Sequence, residues 1–174
     1  VIKIVTPGTV TNQSMLSEKE NNYLASVWAG KDKTALAYCD ISTGELYATV
    51  FGVEIAAETL QNELVKINAR EVILCEKSAD FFDFDGLEKI MDAYFNVLND
   101  KYFSFDAAET LIRHQLSEEN ARISGISRNF ADEPELTRAV GALLSYLIET
   151  QKQNLSHLTQ FNIYEIAWRS TRRP

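Results

Sequence analysis

The sequence predicts an α/β domain, a mixed sheet of about five strands with helices on its faces. Three observations point there. The first fifty residues alternate at strand period and are broken by short polar turns. From Ile55 the apolar residues switch to helical spacing before a strand returns at Glu71. Beyond Asp132 comes the longest apolar helical face of the chain.

Val1 to Val5 is β-branched and stops at the turn pair Pro7-Gly8. Residues 9–20 are polar and read as a loop or a short helix. Tyr23 to Trp28 is a second strand, followed by the polar turn Gly30-Lys31-Asp32-Lys33. Thr34 to Ile41 and Glu45 to Val53 are strands joined by the hairpin turn Ser42-Thr43-Gly44. The first sheet is therefore largely antiparallel.

Ile55, Ala56, Leu60, Leu64 and Ile67 then form a helical stripe, and Glu71 to Cys75 is a strand. Strand, helix, strand is the order of a crossover that adds a parallel strand. Leu87, Ile90, Met91, Tyr94 and Phe95 make another amphipathic stripe, with a short strand over Phe95 to Leu98. Asp106 is placed to cap a helix running to about Leu116, with Glu109 three residues on. Residues 117–131 read as a loop or irregular helix. Asp132 caps the longest helix, whose first turn holds Pro134. Residues 151–158 are polar and loop-like, and Phe161 to Ala167 is a short apolar run.

At 174 residues the chain is about one domain. It starts at Val1, so it is expected to be a piece of something longer. Net charge is −8. Residues 1–166 carry 14 bases against 25 acids, a net of −11, because Arg169, Arg172 and Arg173 lie in a tail without acids. Duplex DNA is held mainly by neutralising its phosphates, so independent DNA binding is not expected. Cys39 and Cys75 sit in apolar strand-like runs and read as buried free thiols in a reducing cytoplasm, with a disulfide as the alternative. Neither has a second Cys or His at zinc-ligand spacing. No apolar run approaches the roughly 20 residues that cross a bilayer, and no signal peptide is read. A soluble, cytoplasmic protein is expected.

Catalytic motifs are scarce. The sequence contains neither G-x-x-x-x-G-K-[ST] nor G-x-G-x-x-G nor a G-x-S-x-G elbow. Asp40 ends a strand before a hairpin, where nucleases of the RNase H type hold a divalent ion, and Glu76 is a conceivable second ligand. That chemistry needs several converging carboxylates. Otherwise Asp40 belongs to the turn, with its carboxylate on backbone N–H groups. Of the two histidines, His114 reads as an exposed helix residue. Trp28, Tyr23, Tyr38 and Tyr47 lie on strands without flanking bases, so core packing is expected over base stacking.

Three stretches in order carry a resemblance: Val5-Thr6-Pro7-Gly8-Thr9, then Ala37 to Glu45, then Gly141 to Lys152. Together with Asn22 to Val27, Glu71 to Leu74, Phe103-Ser104-Phe105-Asp106 and Leu155-Ser156-His157-Leu158, they resemble the connector region (domain II) of the bacterial MutS mismatch-repair family. The likeness covers about 160 residues. The family usually has Pro where this chain has Ser156, and the likeness fades after Ile163. It implies a connector-like domain over residues 1–152 and, over 153–174, a link toward the next domain that ends in a candidate non-native tail.

The resemblance implies an RNase H-like fold without catalytic carboxylates, and so no catalytic residue, no metal and no cofactor. Mismatch recognition in the family uses a Phe-x-Glu motif that this chain lacks. Its ATPase phosphate loop is lacking too. The implied role is to link the mismatch-binding domain to the lever and ATPase parts, with DNA reached only through the full-length protein and with no membrane. The implied partners are the other MutS domains and MutL. The MutL surface carries over to the helix after Phe105-Asp106, at Thr110, Leu111, Arg113 and His114.

Overall fold

The computed structural model describes residues 22–117, 121–125, 130–151 and 155–166. The expected strand at Val1 to Val5, the segment 9–20 and the tail 167–174 lie outside these residues. Three strands open the described fold: β1 (Tyr23–Ala29), β2 (Lys33–Asp40) and β3 (Glu45–Gly52). They run antiparallel, with Tyr23 opposite Asp40 and Asp40 opposite Glu45. Gly44 turns the hairpin at φ 81°, a backbone region that favours glycine.

The crossover is realised by α1 (Ala56–Ile67) and β4 (Glu71–Cys75). β4 pairs parallel to β1, with Leu24 opposite Glu71. Two short helices follow, α2 (Glu76–Ala79) and α3 (Phe84–Ile90), then β5 (Tyr94–Leu98) parallel to β4. The helical stripe expected to reach Phe95 therefore stops at Ile90. Tyr94 and Phe95 are strand residues, because the edge of β4 offers them a hydrogen-bonding partner that local periodicity does not reveal.

The remaining elements are α4 (Phe105–Leu116), β6 (Arg122–Gly125), α5 (Pro134–Gln151) and β7 (Gln160–Ile163). The sheet has seven strands in the order β5-β4-β1-β2-β3-β7-β6, where about five were expected. The α/β class holds. β6 and β7 have four residues each, too few to show a period on their own, and both form by parallel pairing with neighbours far along the chain. Residues 155–166, within the stretch read as a link, pack here with the sheet.

Two helix starts differ by small steps. α4 is capped at Ser104, whose carbonyl accepts from the Ala108 N–H at 2.9 Å, so Asp106 lies inside the first turn. In α5 the first helical bond runs from the Thr137 N–H to the Glu133 carbonyl at 2.9 Å, so Glu133 holds the capping position expected of Asp132. Pro134 occupies the first helical position, where its missing N–H costs nothing.

One face of the sheet carries Ala35, Ala37, Cys39 and Ala48 under α5. These small side chains let α5 lie close, and α4 packs on α5 from the far side. Hence Ala139 through Leu144 are all buried, most of the way round the helix. The other face carries Ala25, Val27, Leu36, Tyr38 and Phe51 beneath α1 and α3. Cys39 and Cys75 are buried free thiols on the α5 face.

Candidate interaction surface

α4 divides cleanly by helical period. Ala108, Ile112 and Gln115 are buried, whereas Asp106, Thr110, Arg113, His114 and Ser117 are exposed. Three anchors hold the inner stripe. At Gly141 in α5 a Cβ would meet the Cα of Ala108 at 2.5 Å, so only glycine permits this approach of the two backbones. Gln115 Nε2 donates to the carbonyls of Leu155 (2.6 Å) and Leu158 (2.8 Å), tying the end of α4 to the segment before β7. At the start of α4, Arg138 Nη1 donates to the Phe103 carbonyl at 2.7 Å. The same guanidinium lies 5.0 Å from the Trp28 ring centre and 6.0 Å from that of Phe105.

The outer stripe of α4 is polar. Arg113 pairs with Glu109 one turn earlier. Thr110 Oγ1 donates to the Asp106 carbonyl at 3.0 Å, and His114 is exposed. Arg113 and His114 stand in the last turn, where a cation complements the helix dipole. Leu111 differs from the other three: it is half-buried and packs against the α5 core. The exposed stripe thus carries a hydroxyl, a guanidinium and an imidazole within two turns.

The carboxylates considered for metal chemistry are kept apart. Asp40 is buried, and its carboxylate accepts from the Ser42 N–H (2.9 Å), the Ser42 hydroxyl (2.7 Å) and the Asn22 N–H (3.3 Å). It closes the hairpin turn. Through Tyr23 it lies level with the start of β4, whereas Glu76 follows the end of β4. Five strand residues separate the two levels, roughly 16 Å. Asp40 and Glu76 cannot share an ion. Among the described residues, no group of three or more His, Cys, Asp or Glu is placed to hold a metal.

The strand aromatics pack as expected. Tyr38 stacks on Tyr47 at 5.3 Å and meets Tyr23 edge-on at 5.2 Å, while Trp28 stacks on Phe103 at 5.4 Å. Two polar ties centre on Glu63 and Glu71, and their tyrosine partners are too remote in the chain to leave a signal in the sequence. Tyr164 donates to Glu63 at 2.9 Å, and Lys66 pairs with Glu63 at 2.8 Å. Burial, then the bond to Tyr38, pushes the Tyr164 phenol far up. Tyr146 donates to Glu71 at 2.6 Å and Asn96 donates to Glu71 at 3.3 Å, joining α5, β4 and β5. Burial, then the bond to Glu71, pushes Tyr146 up to about 12.

Comparison with known proteins adds a family. The family described as MutS domain II matches residues 22–159. The chain is similar to the DNA mismatch repair protein MutS of Acetivibrio thermocellus, at 36% identity over 95% of this chain and 18% of the relative. It is also similar to MutS of Halothermothrix orenii (33%, covering 95% of this chain and 18% of the relative) and of Listeria innocua (34%, covering 95% and 17%). The chain thus spans less than a fifth of the length of these relatives.

Proposed function

Because the chain belongs to the MutS domain II family, we propose that it serves as the non-catalytic connector of a MutS mismatch-repair protein. It links the mismatch-binding domain to the lever and ATPase parts and docks MutL. The fold is read as RNase H-like without its chemistry, and DNA is reached only through the full-length protein, in the cytoplasm. The observation that carries the docking role is the construction of α4: its inner stripe is locked to α5 by Ala108 against Gly141 and by Gln115, so its outer stripe is presented rigidly. Thr110, Arg113 and His114 form the contact row, with Leu111 as the apolar support beneath it.

The test is a titration of the chain against purified MutL from the same source, with a mismatch duplex and a magnesium-containing nuclease assay alongside. MutL binding without cleavage and without duplex binding is expected. Arg113→Glu should weaken MutL binding at least tenfold while changing stability by no more than about 0.5 kcal/mol. Undiminished binding by Arg113→Glu and His114→Glu would remove α4 from the docking role. Magnesium-dependent cleavage would overturn the non-catalytic reading.

A further inference from the structure

A second surface lies on the other face of the sheet from α4, and it stands independently of the role just given to that helix. β5 forms one edge of the sheet, and among the described residues no strand lies beyond it. Edge strands are ordinarily blunted by charge, proline or a bulge, because their free N–H and C=O groups invite pairing. β5 reads Tyr-Phe-Asn-Val-Leu, with no charge and no proline. The Tyr94 N–H points inward, to the Arg70 carbonyl at 2.9 Å. By strand alternation, the N–H groups of Phe95 and Val97 face away from β4.

Large apolar side chains are exposed on β5 and in the segment before it. Phe81 is 54% exposed, Ile90 58%, Tyr94 64% and Val97 49%. Beside the edge runs a groove of about 310 Å³, floored by Phe82, Phe95 and Val97 and rimmed by Asp85 and Glu88. The surrounding stretch is acidic. Residues 76–100 hold seven acids (Glu76, Asp80, Asp83, Asp85, Glu88, Asp92, Asp100) against Lys77 and Lys89, a net of −5. Apolar floor, acidic rim and open edge together specify an occupant. A second copy of this chain would set −5 against −5, which disfavours it. Nucleic acid is repelled for the same reason.

We propose that the outer edge of β5 docks an extended, basic segment of a protein partner, which pairs with β5 as an added strand. Such a segment alternates Val, Ile or Leu with Lys or Arg. Alternate side chains enter the groove beside Phe95 and Val97, and its cations meet Asp85 and Glu88.

The test uses a fluorescein-labelled ten-residue peptide alternating Lys and Val, titrated by anisotropy into the 174-residue chain, with amide chemical shifts mapped in parallel. Saturable binding is expected, with the largest shifts at Tyr94–Leu98. Replacing a central Val of the peptide by Pro should weaken binding at least tenfold, because the added ladder is broken. Glu88→Lys, alone or with Asp85→Lys, should weaken it at least fivefold, and both positions are exposed, so folding is spared. Arg113→Glu should bind the peptide unchanged. Equal affinity for the Pro-containing peptide, or shifts that avoid β5, would overturn the proposal. So would concentration-dependent dimerisation that Val97→Lys abolishes, since a second copy would then be the occupant.

Discussion

On one face of the sheet α5 rests on Ala35, Ala37 and Ala48, and α4 rests on α5 through Ala108 and Gly141. On the other, α1 spans Leu36, Tyr38 and Phe51, and its buried Glu63 is held by Tyr164 and Lys66. On the first face small residues set how near two backbones come, and polar ties from Gln115, Arg138 and Tyr146 fasten it. The second mixes aromatic rings with a charge that needs its partners. The difference separates two kinds of fragility. The α5 face is the more sensitive to a change of volume, and the α1 face to the loss of a hydrogen bond to its buried charge.

The comparison breaks most visibly in the middle of α5. Leu143→Ala empties a fully buried site in the core on the α5 side of the sheet. It should cost about 2–5 kcal/mol in chemical denaturation. Gly141→Val forces α4 away from α5 and should cost about 1–3 kcal/mol. It should also weaken MutL docking, measured by the titration above. If Gly141→Val left both stability and docking intact, the rigid seat of α4 would be refuted.

On the α1 face, Tyr164→Phe keeps the volume and removes one donor from Glu63. A hydrogen bond to a charged group contributes about 1.5–3 kcal/mol, and the Lys66 contact survives, so the lower end is expected in urea unfolding. The same substitution at Tyr47, for which the structure places the ring in a stack with Tyr38, should cost less.

Alkaline pH reaches both faces, since Cys39 lies on the α5 face and Tyr38 and Tyr164 on the α1 face. Burial, then the Asp40 carboxylate, pushes the Cys39 thiol from its ordinary 9.0 up to about 12, and burial pushes Tyr38 and Tyr164 above their ordinary 10.0. Each folded value lies above the unfolded one. The stabilisation is therefore complete below the unfolded value and is lost as pH rises toward the folded one. Stability should begin to fall near pH 9 through Cys39 and near pH 10 through the tyrosines. Cys39→Ala should remove the first part of that fall and leave the second, read by circular dichroism beside tyrosinate absorbance. The smallest effect is expected at the exposed Arg113. Arg113→Glu should change stability by no more than about 0.5 kcal/mol.

The candidate surface on α4 comes from the family resemblance, and what the structure adds is where its four residues lie on the helix. Thr110, Arg113 and His114 repeat at helical spacing, and all three are exposed. Leu111 shows the limit: the same spacing does not tell how far α5 wraps around it. Asp40 shows another. A strand-end carboxylate fits a metal site or a turn equally well on paper, and only the register, which sets Asp40 opposite Tyr23 and Glu76 beyond the far end of β4, separates the two.

By itself the sequence determined the strand-rich first half, the crossover through α1, the long α5 behind Pro134 and the family likeness. Each is written in local periodicity, in turn residues or in ordered motifs, and needs no knowledge of what lies across the molecule. The tertiary structure alone decided the rest. It made strands of β6 and β7, ended α3 at Ile90 so that β5 could pair with β4, and joined Glu63 to Tyr164 across about a hundred residues of chain. Among the described residues it also set β5 at the edge of the sheet. The physical reason is common to these cases. A short strand, a buried ion partner and an uncovered edge are each defined by a neighbour remote in sequence, and backbone hydrogen bonding to that neighbour outweighs the weak preferences of four or five residues.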